Sequence, residues 1–277
     1  MKAEIGAKLN LSLVVTGKRG KMHTLDMRVC SCDLCDEIAA VPAHGRTRFV
    51  FRSDLPEFRA ELLLPLVERS YGILSAKYGE SEYAFEIVKR IPPSAGLGGS
   101  SAVGAGLAWL FAREKGCEID DDTLLSLGSD VPYMYRGGEA RVTGTGECVT
   151  PLPFVKRYAV IVVPDGRVDT AKAYALFDET GGADNPRLAA AAPQTGRNDL
   201  FIAACTVNPE IAVAAKTLAE AGARNVTMSG SGSAVCAFFG EDEREKALLV
   251  QEKVALVYRT YFVGTTCGFL HSDCADL

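Results

Sequence analysis

The chain has 277 residues, a length that at about 150 residues per domain allows two domains or one large α/β unit. Hydrophobic residues make up 48% and charged residues 23%, which excludes wholesale disorder and leaves ample apolar material for a core. The net charge of −5 supplies no global basic field for nucleic acid or an anionic membrane, so neither is an expected partner. The longest nearly apolar stretch, Ala102 to Ala112, is far short of the roughly 20 residues that span a bilayer. Glu4 and Asn10 interrupt the apolar segment that an N-terminal signal would need, so a cytoplasmic address is expected.

Taken in chain order, Leu9 to Thr16 alternates as a strand does, closed by Gly17 and Gly20. Arg59 to Tyr78 carries helical spacing in Leu62, Leu63, Leu66, Val67, Tyr71 and Leu74, with Pro65 as a kink or early-turn residue. Tyr83 to Ile91 reads as a strand running into Pro92-Pro93 and a glycine loop. The next helix should begin near Ser100 or Ser101, either of which can cap it, and end at Gly116 after Arg113 and Lys115. Asp121 to Gly128 predicts a short helix, and Tyr158 to Pro164 a buried strand. Between them, Pro151-Leu152-Pro153 is the best domain boundary, giving units 1–150 and 151–277. In the second unit, Thr170 to Asp178, Asn198 to Cys205 and Pro209 to Ala221 predict helices. Val226 to Met228 enters a second glycine loop as a strand and Ala234 to Phe239 leaves it as another. An amphipathic helix over Asp242 to Ala255 and a strand over Val257 to Val263 follow. Helices and strands mix without regular βαβ alternation, which points to an α+β fold.

There are nine cysteines, and disulfides are not expected in a reducing compartment. Cys30, Cys32 and Cys35 lie downstream of His23, but CxCxxC with no second pair fits zinc poorly. They read as small hydrophobes on a strand and its exit. Cys267, His271 and Cys274 read the same way.

The segment with the strongest chemical content is Pro92, Pro93, Ser94, Ala95, Gly96, Leu97, Gly98, Gly99, Ser100 and Ser101. A strand, a glycine-rich turn and a helix start point unpaired N–H groups and a helix dipole at one spot, where phosphate is the natural guest. No Lys follows the glycines, so this is not a Walker A loop, and the third glycine of the dinucleotide fingerprint is absent. Met228-Ser229-Gly230-Ser231-Gly232-Ser233-Ala234 forms a second such loop. Two glycine-serine loops suggest a nucleotide gripped from both units. Phosphoryl transfer further needs a cation, a carboxylate for the nucleophile and usually Mg²⁺. Lys8, beside the first strand, and Asp130, in Gly128-Ser129-Asp130-Val131-Pro132, are the candidates. Taken singly, they read as a strand-end charge and a turn former before Pro132.

Together these stretches carry a resemblance. Ala7-Lys8-Leu9-Asn10-Leu11, Pro92 to Ala102 and Met228 to Ala234 resemble, in order, the three motifs of the GHMP small-molecule kinase superfamily. Leu34 to Ile38, Leu127 to Glu147, Val168 to Tyr174 and Asn198-Asp199-Leu200 extend the likeness over nearly the whole chain. They are most similar to the members that act on a cytidyl-linked alcohol in non-mevalonate isoprenoid synthesis. The resemblance implies a two-domain GHMP kinase fold: a ribosomal-protein-S5-like N-terminal domain, a ferredoxin-like C-terminal α/β sandwich, and the site in the cleft between them. It implies that Lys8 and Asp130 are catalytic and that Pro92 to Ser101 bind ATP. Asn10, Met22, His23, Gly230, Ser231 and Gly232 fall on substrate-side positions. Mg²⁺ would be held mainly by ATP, with Ser101 a candidate ligand. The partner implied is a small-molecule substrate, with monomer and homodimer both open.

Three departures keep alternatives open. Met22 in Lys21-Met22-His23-Thr24-Leu25 stands where those members carry a Tyr that stacks on the base. The glycine loop is one glycine shorter and lacks an Asp, and Pro65 replaces an Asn near the adenine. A GHMP kinase for another small alcohol or sugar is the second reading. A nucleotide-binding protein without catalysis is the third, disfavoured because Lys8 and Asp130 are both present.

Overall fold

A long antiparallel hairpin organises the chain, which the computed structural model describes over residues 1–43, 47–182 and 196–268. Its arms are β1 (Lys2–Arg19) and β2 (Met22–Pro42), paired from Lys2 opposite Ala39 to Arg19 opposite Met22. Then follow β3 (Phe49–Arg52), α1 (Ala60–Tyr78), β4 (Tyr83–Val88), α2 (Gly99–Lys115), α3 (Asp121–Leu127) and α4 (Val131–Arg136). On the expected division the first unit closes with β5 (Glu139–Gly144) and β6 (Cys148–Pro151). The second runs β7 (Arg157–Val163), α5 (Thr170–Glu179), α6 (Phe201–Val207), α7 (Glu210–Glu220), β8 (Asn225–Met228), β9 (Val235–Gly240), α8 (Arg244–Val254) and β10 (Arg259–Thr266). The mixture is α+β, and the predicted elements are found with their types as read. His271 and Cys274 lie outside the described residues.

The free edge of β2 is shared by three strands in succession. β5 pairs with Leu25 to Cys30, β10 with Ser31 and Cys32, and β4 with Glu37 to Pro42. β10 also pairs with β7, which pairs with β9, which pairs with β8. The antiparallel sheet of the second unit is thereby hydrogen-bonded to the spine of the first. β3 and β4 are parallel neighbours connected through α1. Cys30 and Cys32 are buried in the core, where burial pushes the Cys30 thiol up to about 12.

α2 is buried from Ala102 through Phe111, which explains a helix that is apolar all round. Glycine lets it settle onto the sheet: a Cβ on Gly106 would stand 2.6 Å from Ile38 Cδ1. Its start differs from expectation. The residue before the first turn is Gly98 in the left-handed region (φ 77°), and neither Ser100 nor Ser101 caps the helix. The first-turn N–H groups are therefore not consumed by a side chain. Among the described residues no single helix is long and apolar enough to cross a membrane.

Glu139 joins the two units. Its fully buried carboxylate meets Arg28 at 2.5 Å and Arg157 at 2.6 Å, so β2, β5 and the start of β7 share one charge. Burial alone would raise this carboxyl, but Arg157 and Arg28 outweigh it and hold it below the ordinary value of 4.5. A carboxylate depressed on folding contributes stability above its unfolded value, and loses it as pH falls through the folded one. Glu139→Gln is expected to cost about 1.5–3 kcal/mol at pH 7 and to flatten the loss of stability on acidification. Urea unfolding at pH 7 and pH 4 checks this. Equal acid sensitivity in both proteins would remove Glu139 from that role.

Candidate active site

Lys8 sits on β1 where the strand passes under the glycine loop, and its own N–H donates to Leu97 O at 3.0 Å. Its ammonium meets Asp130 Oδ2 at 3.1 Å. The Lys8 side chain is 5% exposed and that of Asp130 29%, so the pair opens on its carboxylate side. Asp130 is the residue immediately before α4. The turn carrying it is backed by Gly146, where a Cβ would lie 2.1 Å from Ser129 O. Sequence positions 8 and 130 are thus brought into contact.

The two glycine loops meet face to face. Ala234 N donates to Ala95 O at 3.0 Å, and Ser229 Oγ donates to Gly96 O at 2.9 Å. The approach requires glycine, since a Cβ on Gly96 (φ +76°) would stand 2.1 Å from Ser229 O. Asn10 is fully buried, and its Oδ1 accepts from Gly230 N at 3.0 Å. The structure places it beneath the loops, tying the first motif to the third, rather than on the cleft wall.

Between the loops, α5 and the end of the β1–β2 hairpin lies a cavity of about 820 Å³. Lys8, Met22, His23, Ser94, Gly96, Gly98, Asp130, Gly230, Ser231 and Gly232 line it, as do Lys18, Lys21, Thr170, Tyr174 and Asp178. His23 stacks on Tyr174, with ring centroids 4.4 Å apart and planes at 20°. Its Nε2 lies 2.9 Å from Asp178 Oδ1, and Lys18 reaches Asp178 Oδ2 at 2.7 Å. Those two partners hold the Asp178 carboxyl below its ordinary range. Met22 is 55% exposed at the rim, so the aromatic surface comes from Tyr174, a residue that sequence reasoning missed. Burial, then the Asp130 charge, raises the Tyr174 phenol, which stays a neutral ring. The signal available was its place four residues before Asp178 on one helix face.

On the far side of the glycine loop, Pro93, Ser94, Gly99 and Ser100 border a smaller cavity of about 200 Å³ with Phe58, Leu62, Leu63 and Leu66. Ser94 borders both cavities. Lys89 closes its floor: buried, it pairs with buried Asp36 and donates to Gly99 O at 2.7 Å. Pro92, Ala95 and Leu97 are buried and anchor the loop. Ser101 lines a neighbouring hollow with Gly128 and Ser129. A separate hollow of about 810 Å³ lies along Leu11, Asn225 and Phe238. Its cations are already committed, Arg28 and Arg157 to Glu139 and Lys156 to Glu241. Among the described residues no group of three or more His, Cys, Asp or Glu could hold a metal ion.

Chemically, the cleft offers a carboxylate held by a buried ammonium, next to a loop with free N–H groups at a helix start. That is the set needed to orient a hydroxyl and stabilise a transferring phosphoryl group.

Comparison with known proteins agrees with this geometry. Residues 65–138 match the family pattern described as GHMP kinases N terminal domain, and residues 176–259 that described as GHMP kinases C terminal. The chain is 32% identical to the 4-diphosphocytidyl-2-C-methyl-D-erythritol kinase of Syntrophomonas wolfei, over 93% of this chain and 95% of that protein. It is also 32% identical to the enzyme of the same name from Symbiobacterium thermophilum, over 96% and 99%. A crystal structure of 4-(cytidine 5'-diphospho)-2C-methyl-D-erythritol kinase superposes with a TM-score of 0.77 at 28% identity, covering 97% of this chain and 100% of that one. A homoserine kinase from Cytophaga hutchinsonii, at 17% identity and TM-score 0.66, shares the fold.

Gly98 tests the loop's role. Its φ of +77° disfavours any Cβ, and one built there would stand 3.1 Å from Met134 Sδ and 3.5 Å from Lys8 Cβ. Left-handed strain of about 1–2 kcal/mol per residue, added to displaced N–H groups, should raise KM for ATP in Gly98→Val by about tenfold or more. Titration with a fluorescent ATP analogue checks it. Normal affinity in a folded variant would reduce the loop to a structural turn.

Proposed function

The chain belongs to the GHMP kinase family, and from that premise we propose that it phosphorylates the 2-hydroxyl of 4-diphosphocytidyl-2-C-methyl-D-erythritol with ATP. The observation that carries this reading is the Lys8–Asp130 pair facing one cavity with the glycine loop and the His23–Tyr174 stack. Residues 1–150 act as the ATP-binding unit, and 151–277 supply the opposing wall. The ATP phosphates lie along Gly96 to Ser101, against the uncapped start of α2. The adenine takes the apolar hollow beside Leu62 and Leu66, reached past Ser94. In the main cavity the cytosine packs on Tyr174 with His23 at its edge, which leaves the alcohol near Asp130. Met22 covers the rim, and Gly230, Ser231 and Gly232 close the phosphate side.

Asp130 accepts or orients the hydroxyl proton as the oxygen attacks the γ-phosphorus and the bond to the β-bridging oxygen breaks. Lys8 keeps the Asp130 carboxylate in place and stabilises charge gathering on the transferred group. Mg²⁺, carried mainly by the nucleotide, would neutralise β- and γ-phosphate charge. Ser101 fits as its candidate protein ligand: it is a hard oxygen donor on the first turn of α2, beside the hollow that Gly128 and Ser129 share. The reaction is placed in the cytoplasm, where ATP is supplied.

Asp130→Asn keeps the shape but neither takes a proton nor carries charge. Turnover should fall by about 10² to 10⁴, while ATP affinity stays within a few-fold. ADP release with the cytidyl alcohol, together with nucleotide titration, measures both. Near-normal turnover would exclude Asp130 from the reaction. Turnover of other small alcohols, but not of the cytidyl one, would move the chain to a different member activity of the same family.

A further inference from the structure

Three groups meet at the mouth of the main cavity in an arrangement that phosphoryl transfer itself does not require. Tyr174 and Asp178 lie one turn apart on the same face of α5. Tyr174 stacks flat against the His23 ring, and Asp178 accepts from its Nε2 at 2.9 Å. Phe177 meets the same ring edge-on, with centroids 6.4 Å apart. The imidazole is thus fixed in tilt by the stack and in rotation by the hydrogen bond. Among the described residues this is the only hydrogen bond its side chain makes, and Nδ1 has no protein partner.

A carboxylate only accepts. It therefore selects the His23 tautomer with its proton on Nε2, and in the neutral ring this leaves a lone pair on Nδ1. Lys18 contributes the remaining part. Its ammonium lies 2.7 Å from the other carboxylate oxygen, so the Asp178 carboxylate is held between Lys18 and His23.

We propose that Asp178, paired with Lys18, is a positioning residue that sets His23 Nδ1 as an acceptor, and thereby makes the cleft prefer a pyrimidine with an exocyclic amino group over one with a carbonyl there. Cytosine offers an N–H to that lone pair. Uracil offers a carbonyl oxygen, and two acceptors facing each other beside the largely buried His23 ring leave both poorly paired. The inference rests on the proposed cytidyl reading and adds the residue that enforces the choice of base.

The test combines substrate discrimination with a spectroscopic signature. Wild type, Asp178→Asn and Asp178→Glu are assayed with the cytidyl alcohol and its uridyl counterpart. ¹⁵N spectra of ring-labelled histidine give the tautomer, with the His23 signal identified by its loss in His23→Ala. Wild type should show the Nε2–H tautomer and favour the cytidyl substrate. Asp178→Asn can donate to Nε2 as readily as accept. It should mix the tautomers and lower the cytidyl-to-uridyl ratio of kcat/KM by about tenfold or more, with KM for ATP unmoved. Asp178→Glu keeps the carboxylate and should retain tautomer and ratio. Asp178 is about one-third exposed, so neither change disturbs the core. A ratio unchanged in Asp178→Asn, or a wild-type ring protonated on Nδ1, overturns the inference. If wild type accepts neither pyrimidine-linked alcohol, the cytidyl reading fails and the selectivity inference with it. Cytidyl turnover with an unchanged mutant ratio sinks only the inference.

Discussion

The arrangement of the cleft depends on one buried hydroxyl. Ser229 Oγ donates to Gly96 O at 2.9 Å and accepts from Asn10 N at 3.3 Å, with Lys8 O also 3.3 Å away. A single side-chain atom of the second glycine loop thus touches both the first strand and the first glycine loop. Each contact is long-range in sequence, and those to Asn10 and Lys8 are buried, where an unmatched polar group would be costly. Asn10 repeats the connection by binding Gly230 N. The three segments are held in one mutual geometry before any nucleotide arrives.

That geometry determines where charge can reside. Lys8 is nearly buried because β1 runs beneath the loop, and Asp130 reaches it from the start of α4. The cavity lining carries three lysines, Lys8, Lys18 and Lys21, against two aspartates, Asp130 and Asp178. Lys8 and Lys18 are paired with those aspartates, so in a chain with a net charge of −5 the cleft keeps a surplus of one lysine, Lys21. Such a cleft suits polyphosphate through short-range geometry, and global charge has no bearing on it. The buried Asp36–Lys89 pair acts on the other side of the loop. Asp36 Oδ1 accepts from the N–H groups of Arg90 and Ile91, and Lys89 holds Gly99 O. The loop is fixed at both ends, so its free N–H groups are preorganised.

Local signals made the glycine loops and most helices legible, since glycine strings and 3.6-residue spacing are written in adjacent residues, whereas Lys8 and Asp130 gained weight only in company with those loops. The length of β2 was hidden. Its sequence carries Asp26, Arg28, Asp33, Asp36 and Glu37, which masks the alternation of a strand. In the fold Asp26 pairs with Arg141, Arg28 with Glu139, Asp36 with Lys89 and Glu37 with Lys2, while Asp33 accepts from Gly264 N. Partners so distant in sequence are not visible to a local pattern. Asn10 misled for the same reason: the motif gave its neighbourhood, but tertiary hydrogen bonds with Gly230 and Ser229 hold it under the loops.

Met22 stands where the resembled members carry a Tyr, one of the departures that left alternatives open in the sequence. A stacking surface for a base requires a flat ring in a fixed orientation. At position 22 the chain is exposed at the hairpin end, and a flexible thioether there covers without orienting. Tyr174 instead sits on a helix whose first turn is capped by Asp169 and which packs Ala173 and Phe177 into the core. The ring carried by that helix lies flat against His23. α5 thus supplies both the ring that stacks on His23 and the carboxylate that accepts from it.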